Sequence, residues 1–269
     1  MSDDGIETGG LSLVELRERL AGELSSRAEG RWLRLLEADA RRGARELAES
    51  LARRREARRR EARRVARLFA GRRKLFAAGA RLVAGVDEVG VGPLAGPVVA
   101  AAVVLPPRVS LPGLDDSKRL DRGARESLDA AIREQALAVS VAEATTAEVD
   151  RWNVLRATLE AMRRAVTGLS RAPDHVFVDA RTIPAIAVPQ TALVGGDARD
   201  GSIAAASIVA KVHRDARMRD LEARYPGYGF ARHKGYGTRE HLRALERLGP
   251  CPEHRRSFAP VAQLALFTP

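Results

Sequence analysis

At 269 residues, 45% of them hydrophobic, the chain is long enough for one catalytic-size domain and a separate appendage. Its formal charge of +11 is unevenly spread: residues 1–80 hold 20 Arg or Lys against 13 Asp or Glu, and the remainder 26 against 22, a footprint that points to a polyanion such as nucleic acid. The one cysteine, Cys251, excludes an internal disulfide and any cysteine-based zinc cluster, and no apolar run reaches membrane-spanning length. With a polar, acidic N-terminus that lacks an apolar signal core, the expectation is a cytoplasmic protein with no membrane partner.

Residues 1–10 read as disordered. Ser12 and Glu15 then form a capping box, and Leu11 with Leu16 form the hydrophobic staple that opens a first helix. A second helical stretch is expected from about Arg31 to Phe76. Its middle, LARRREARRREARRVARL, reads either as a solvated helix face or as an arm that meets nucleic acid. Gly79 marks the end of a basic helical extension, residues 1–79, and a core of residues 80–269 follows.

The core opens with LVAGVDEVGVGPLAGPVVAAAVVL, Leu82 to Leu105, which reads as two apolar strands joined through Gly90, Gly92, Pro93 and Gly96. Further along come a turn at Asp115-Asp116-Ser117-Lys118, a helix from about Asp121 to Gln135 and a short strand over Ala136–Ala142. Thr145 and Glu148 form a second capping box, opening a helix with Val149, Trp152, Leu155, Leu159 and Met162 facing inward. His175–Val178 is a buried strand ending on Asp179. Another strand, Thr191–Val194, is closed by Gly195-Gly196-Asp197. A long helix starts at Ser202, and a Gly-rich basic wrap carrying HKGYGT and CPEHRRSF completes the chain. Hairpin-connected strands followed by strands alternating with helices predict an α/β fold, a mixed sheet flanked by helices, preceded by the α-helical extension.

Four acids stand at strand ends: Asp87, Glu88, Asp179 and Asp197. Two adjacent carboxylates among Val and Ala are costly unless a cation or proton neutralises them. Oxygen-only ligands, with no His or Cys among them, favour Mg²⁺ or Mn²⁺ over zinc. A pair of such ions about 3.5 to 4 Å apart suits in-line phosphoryl displacement.

Taken together and in this order, GVDEVGVGPLAGPVVAAAVVLP, LDDSKRL, VDA, GGD with SIAAASIVAKVHRD, YPGYGFARHKGYGT and EHRRSF resemble the motif series of ribonuclease HII from about Leu82 to about Val261. The resemblance implies a ribonuclease H-like fold. It also implies an endonuclease that cuts 5′ of a ribonucleotide in duplex DNA or in an RNA–DNA hybrid, leaving 3′-hydroxyl and 5′-phosphate ends, a step in removing ribonucleotides from DNA. Carried over, the family's metal-binding and catalytic acids fall on Asp87, Glu88, Asp179 and Asp197, with two Mg²⁺ or Mn²⁺ ions expected during catalysis. The turn whose backbone contacts the ribonucleotide 2′-hydroxyl falls on Gly90, Val91 and Gly92, and the tyrosine that packs on the adjoining sugar falls on Tyr236. Lys118 and Lys211 are weaker substrate-binding candidates, each able instead to pair with a structural acid.

Two positions depart from the family pattern. Val91 stands where the family normally has Arg, and Ala180 where it usually has Gly. The alternative reading is therefore a non-catalytic or altered-specificity nucleic-acid binder on the same fold. The extension resembles those of some bacterial members, and is expected to hold duplex or to meet a protein partner.

Overall fold

The computed structural model describes residues 10–22 and 24–265, so the expectation for residues 1–9 lies outside the described residues. The chain divides into two compact units, 1–64 and 65–269. The first contains α1 (Leu13–Ala21), α2 (Ser26–Glu37) and most of α3 (Arg42–Leu68). The predicted capping box is present: the Glu15 N–H donates to Ser12 Oγ at 3.3 Å, and the Ser12 N–H donates to Glu15 Oε2 at 2.8 Å. Leu16, Leu20, Trp32, Leu36, Ala44, Ala48 and Leu51 form the core of this unit.

The stretch expected as one helix from Arg31 to Phe76 is three. Asp39 interrupts the first junction, its Oδ1 accepting the Arg41 N–H at 2.9 Å, the local side-chain bond by which Asp competes with helix. At the second junction Phe69 leaves helical geometry (φ −92°, ψ 11°), and α4 runs from Ala70 to Ala77. Part of the positive charge of α3 is already engaged: Arg53 pairs with Glu49, Arg64 with Glu61, and Arg58 with the buried Glu29.

The second unit begins before Gly79. Val65 and Phe69 join the apolar cluster of Val99, Ala101, Val103 and Leu105, while Arg72 donates to the carbonyls of Leu105 (3.3 Å), Pro106 (2.5 Å) and Pro107 (3.2 Å). Composition places residues 65–79 with the extension, but packing places them with the sheet.

That sheet has five strands in the order β3-β2-β1-β4-β5: β1 (Val83–Val89), β2 (Val98–Val104), β3 (Ala138–Ala144), β4 (His175–Asp179) and β5 (Gln190–Leu193). The first three are antiparallel neighbours, whereas β4 runs parallel to β1 and β5 parallel to β4. This is the expected mixed sheet. Strand β2, VVAAAVV, is buried throughout, as a strand covered on both faces must be.

On one face, Ala84, Val86, Ala100 and Ala102 pack with Ala157, Ala161 and Ala165 of α7 (Val154–Thr167). On the other, Val99, Ala101 and Val103 meet α5 (Arg122–Gln135) and α8 (Gly201–Arg224). Gly85 permits a close approach there, because a Cβ at this position would lie 2.0 Å from the Ser202 carbonyl carbon.

The helix expected to open at Thr145 is two, α6 (Thr146–Trp152) and α7, broken at Asn153 with φ 69°. The break resets the helical phase. Leu155, expected inward, is 44% exposed as a result. Three further helices, α9 (Phe230–His233), α10 (Arg239–Leu248) and α11 (Ala259–Ala265), complete the unit. Among the described residues no helix is long and apolar enough to cross a membrane.

Candidate active site

Strand register assembles the acids. Strands β1 and β4 are paired up to Val86 opposite Val178, so the next residue of each, Asp87 and Asp179, lie side by side where that pairing ends. Asp87 lies on the α8 side of the sheet and Glu88 on the α7 side, by the alternation of a strand. Even so, one ligand oxygen from each of Asp87, Glu88 and Asp179 falls within 4.8 Å of the others.

Asp87 is only 4% exposed. Burial, then the neighbouring Glu88 and Asp179, hold its carboxyl well above the usual carboxylate range, although the Ser207 hydroxyl works in the opposite direction. Glu88 is pushed up to about 7, by burial first and by Asp179 next. Its buried Oε2 has no hydrogen-bond partner among the described residues. Three crowded carboxylates and an orphaned oxygen fit a divalent cation bound by hard oxygen ligands, and those residues would hold it.

Asp197 does not join the three. It sits in a 3₁₀ turn, Gly196–Ala198, that is tied to the site through the Gly196 N–H, which donates to Asp179 Oδ1 at 2.6 Å. Its Oδ2 instead accepts from Lys118 Nζ at 3.1 Å. The turn carrying Lys118 is built as expected, with Asp116 Oδ1 accepting the Lys118 N–H at 2.8 Å. It reaches α8 through Ser117 Oγ and Ser207 Oγ, 2.9 Å apart. Lys211 is engaged elsewhere, donating to Asp215 Oδ1 at 2.7 Å one turn along the same helix.

The Gly90-Val91-Gly92 turn leaves β1 next to this cluster. Gly90 has φ +90°, and a Cβ on it would sit 2.1 Å from Arg214 Nε, so only glycine fits. Tyr236, 46% exposed, borders the turn: a Cβ on Gly92 would lie 3.8 Å from its Cε1. The Tyr236 backbone is anchored from behind by His241 Nδ1, 2.9 Å from its carbonyl oxygen, and His241 Nε2 lies 3.0 Å from His254 Nε2. Because the Cys251 N–H donates to His254 Nδ1 (3.0 Å), both rings complete the chain as neutral tautomers. Burial first, then His241, pushes His254 down to about 4.

A cleft of about 380 Å³ lies on the α7 side, lined by Glu88, Val91, Leu155, Met162, Asp179 and Arg181 among others. Ala180 accepts a left-handed φ of 56°, so the methyl that distinguishes it from Gly is accommodated with Asp179 still in the cluster.

Arg214 and Arg255 lie within the motifs SIAAASIVAKVHRD and EHRRSF, yet the sequence alone assigns them no role. No local signal separates them from surface arginines: Arg214 is followed by Asp215, and Arg255 sits between His254 and Arg256. Both are fully buried beneath the turn.

Comparison with known proteins agrees with this architecture. The family model described as ribonuclease HII matches residues 84–261. Ribonuclease HII of Geobacillus thermodenitrificans is 51% identical over 246 residues, covering 91% of this chain and 94% of that protein. Ribonuclease HII of an Anaeromyxobacter species is 49% identical over 262 residues, covering 96% and 82%. Among solved structures, ribonuclease H2 from Pyrococcus horikoshii superposes with a TM-score of 0.59 at 27% identity, covering 69% of this chain and 98% of that one. Ribonuclease HII from Archaeoglobus fulgidus, solved in complex with PCNA, gives 0.55 at 26%, covering 64% and 92%. With a ribonuclease H-like sheet, its acids at the ends of β1 and β4, and relatives matched over nearly their whole length, this chain belongs to the ribonuclease HII family and is a nuclease of the ribonuclease H type.

Proposed function

We propose that this nuclease of RNA–DNA hybrids also cuts 5′ of single ribonucleotides embedded in duplex DNA, leaving 3′-hydroxyl and 5′-phosphate ends. The observation that carries the reading is the juxtaposition of the Asp87, Glu88 and Asp179 oxygens with the Gly90–Gly92 turn, exposed at Val91 and Gly92, and with Tyr236. The acids would hold Mg²⁺ or Mn²⁺. When bound, two such ions supply an activated water and stabilise the leaving oxygen.

The protein's own groups select and orient the substrate. Donors on the turn suit a 2′-hydroxyl, the group that separates RNA from DNA, and the Tyr236 ring suits the adjoining sugar. Lys118 neutralises Asp197 in the free enzyme and is 80% exposed along its side chain, which leaves it free to exchange that carboxylate for a substrate phosphate. Asp197 is then available as a fourth acid. Val91 does not favour the binding-only alternative, since its contribution to the turn is made by backbone groups.

Arg59, Arg60 and Arg63 on α3 are exposed and suit the phosphates of a nucleic-acid backbone. A protein partner of the sliding-clamp kind, such as the PCNA bound to the Archaeoglobus relative, belongs to the same proposal.

The test is cleavage of end-labelled duplexes that are all DNA, DNA with one ribonucleotide, or RNA–DNA hybrid, with Mg²⁺, Mn²⁺ or EDTA. The expected result is a single metal-dependent cut 5′ of the ribonucleotide that Asp87→Asn lowers by more than about 100-fold, the upper range for groups that merely support a metal ligand. Binding without any cut under either metal would establish the non-catalytic reading instead.

A further inference from the structure

The Gly90–Gly92 turn is held by a guanidinium that belongs to a distant part of the chain. Arg255, in the EHRRSF segment, is fully buried. Its Nη2 donates to the Gly90 carbonyl (2.5 Å) and the Gly96 carbonyl (2.9 Å), its Nη1 to the Val91 carbonyl (2.7 Å), and its Nε to Gly96 again (3.1 Å). Among the described residues, no carboxylate shares these bonds. The plane of the guanidinium is braced by the Phe258 ring, whose centroid lies 5.2 Å from Cζ. Backbone bonds fix the same segment, the Arg255 N–H donating to the Leu94 carbonyl at 2.8 Å and the Gly96 N–H to the Glu253 carbonyl at 2.9 Å.

Pinning the carbonyls inward determines what the turn shows to solvent. Among the described residues, the N–H groups of Val91 and Gly92 have no protein acceptor, and both residues are exposed. They are thus a pair of free donors beside Tyr236. An unbraced Gly-x-Gly segment would sample many orientations, because glycine is the most permissive residue. Four hydrogen bonds from one planar fork remove that freedom before any substrate arrives.

We propose that Arg255 is the positioning residue for ribonucleotide recognition, acting through the Gly90 and Val91 carbonyls to aim the Val91 and Gly92 N–H donors at a ribose 2′-hydroxyl. The side chain at position 91 takes no part in this brace. That is why valine is compatible with it. The inference rests on the reading that this turn meets the ribonucleotide.

The test measures binding of full-length protein, in EDTA, to a DNA duplex carrying one ribonucleotide and to the all-DNA duplex of the same sequence. Steady-state kcat and KM on the former are measured with Mg²⁺. Arg255→Lys keeps the charge and loses the fork. It is expected to reduce the ribonucleotide preference by about tenfold, the weight of one well-aligned hydrogen bond, and to raise KM with little change in kcat. Arg72→Met serves as the structural control, since Arg72 is equally buried and also bonds carbonyls, but at the far end of β2. It is expected to lower the melting temperature and leave the preference unchanged.

Phe258→Leu, which removes only the ring beneath the guanidinium, is expected to shift the preference in the same direction by a smaller factor. It decides the matter should Arg255→Lys not fold. A folded Arg255→Lys with wild-type preference, or an unmoved preference in Phe258→Leu when Arg255→Lys does not fold, overturns the inference. Loss of preference in Arg72→Met as well would overturn it too, by making the effect one of general stability. A wild-type protein that binds both duplexes equally would overturn the underlying reading of the turn, which is a separate result.

Discussion

The buried arginines and the crowded carboxylates of the second unit are ionisable groups treated in opposite ways. Arg214 donates to the carbonyls of Ala95 (3.2 Å), Pro97 (3.1 Å) and Lys234 (3.0 Å), and Arg255 makes four such bonds; both are completely enclosed. Their charge is solvated by backbone dipoles. Asp87, Glu88 and Asp179 are crowded together instead, and one Glu88 oxygen has no hydrogen-bond partner among the described residues. Buried charge that the protein satisfies internally serves architecture, whereas buried charge left unsatisfied marks where a ligand is to come. The arginines build a surface that recognises, and the acids leave a deficit that a cation fills.

The largest effects should separate these two classes by sign. Arg214→Met strands three backbone carbonyls in the interior and is expected to destabilise the protein by at least about 3 kcal/mol. Asp87→Asn removes a buried ionisable group whose charged form its burial and its neighbours disfavour, and is expected to raise the melting temperature in EDTA by about 2–4 °C for each kcal/mol relieved. Thermal unfolding of the two variants beside wild type checks both signs. A destabilised Asp87→Asn would mean that the carboxylate is structural after all, and would erase the distinction.

A smaller effect follows from pH. The Glu88 carboxyl is raised to about 7 in the folded chain from an ordinary value of 4.5, so between those values the folded state holds a proton that the unfolded state has released. Metal-free stability therefore falls as pH rises through this window, and the loss is complete above about pH 7. His254 acts in the opposite sense. Lowered to about 4, its stabilising contribution is present above pH 6.5 and is lost as pH falls toward 4. Comparing wild type with Glu88→Gln isolates the carboxylate: the melting-temperature advantage of the variant in EDTA should grow from pH 5 to pH 8. Added Mg²⁺ should reverse that advantage at pH 8, because only wild type has the full ligand set. An advantage independent of pH would show that Glu88 carries an ordinary surface carboxyl.

Much of this contrast was legible in the sequence, but unequally. Asp87 and Glu88 could be recognised because apolar strand residues flank them, and the mixed sheet followed from the order of strands and helices. The convergence of Asp87 with Asp179 depends on parallel register between β1 and β4, which local patterning does not encode. Pairing of Asp197 with Lys118, 79 residues away, was likewise open in the sequence. Leu155 reads as inward only when a single helical phase is carried across Asn153, where the chain turns through positive φ. Arg255 was invisible as a brace for a different reason. Its acceptors are main-chain carbonyls, which every residue possesses, so no partner side chain in the sequence could betray it.

The smallest expected effect concerns the first unit, where arginines are neither buried nor wholly paired. Glu29, Glu49 and Glu61 each engage one arginine of α3, so the raw charge of this helix overstates what a polyanion would meet. Arg59, Arg60 and Arg63 remain exposed. If all three touch phosphates, replacing them with serine should weaken duplex binding and make the slope of log affinity against log salt shallower by up to about 2.7, at about 0.9 for each contact. The ribonucleotide preference should not change, since phosphate contacts position the substrate without reading its sugar. Titrations of the triple variant at several salt concentrations check both parts. An unchanged slope would remove this helix from the duplex-binding surface and leave its exposed arginines to solubility or to a protein partner, whereas an altered preference would mean that recognition extends beyond the braced turn.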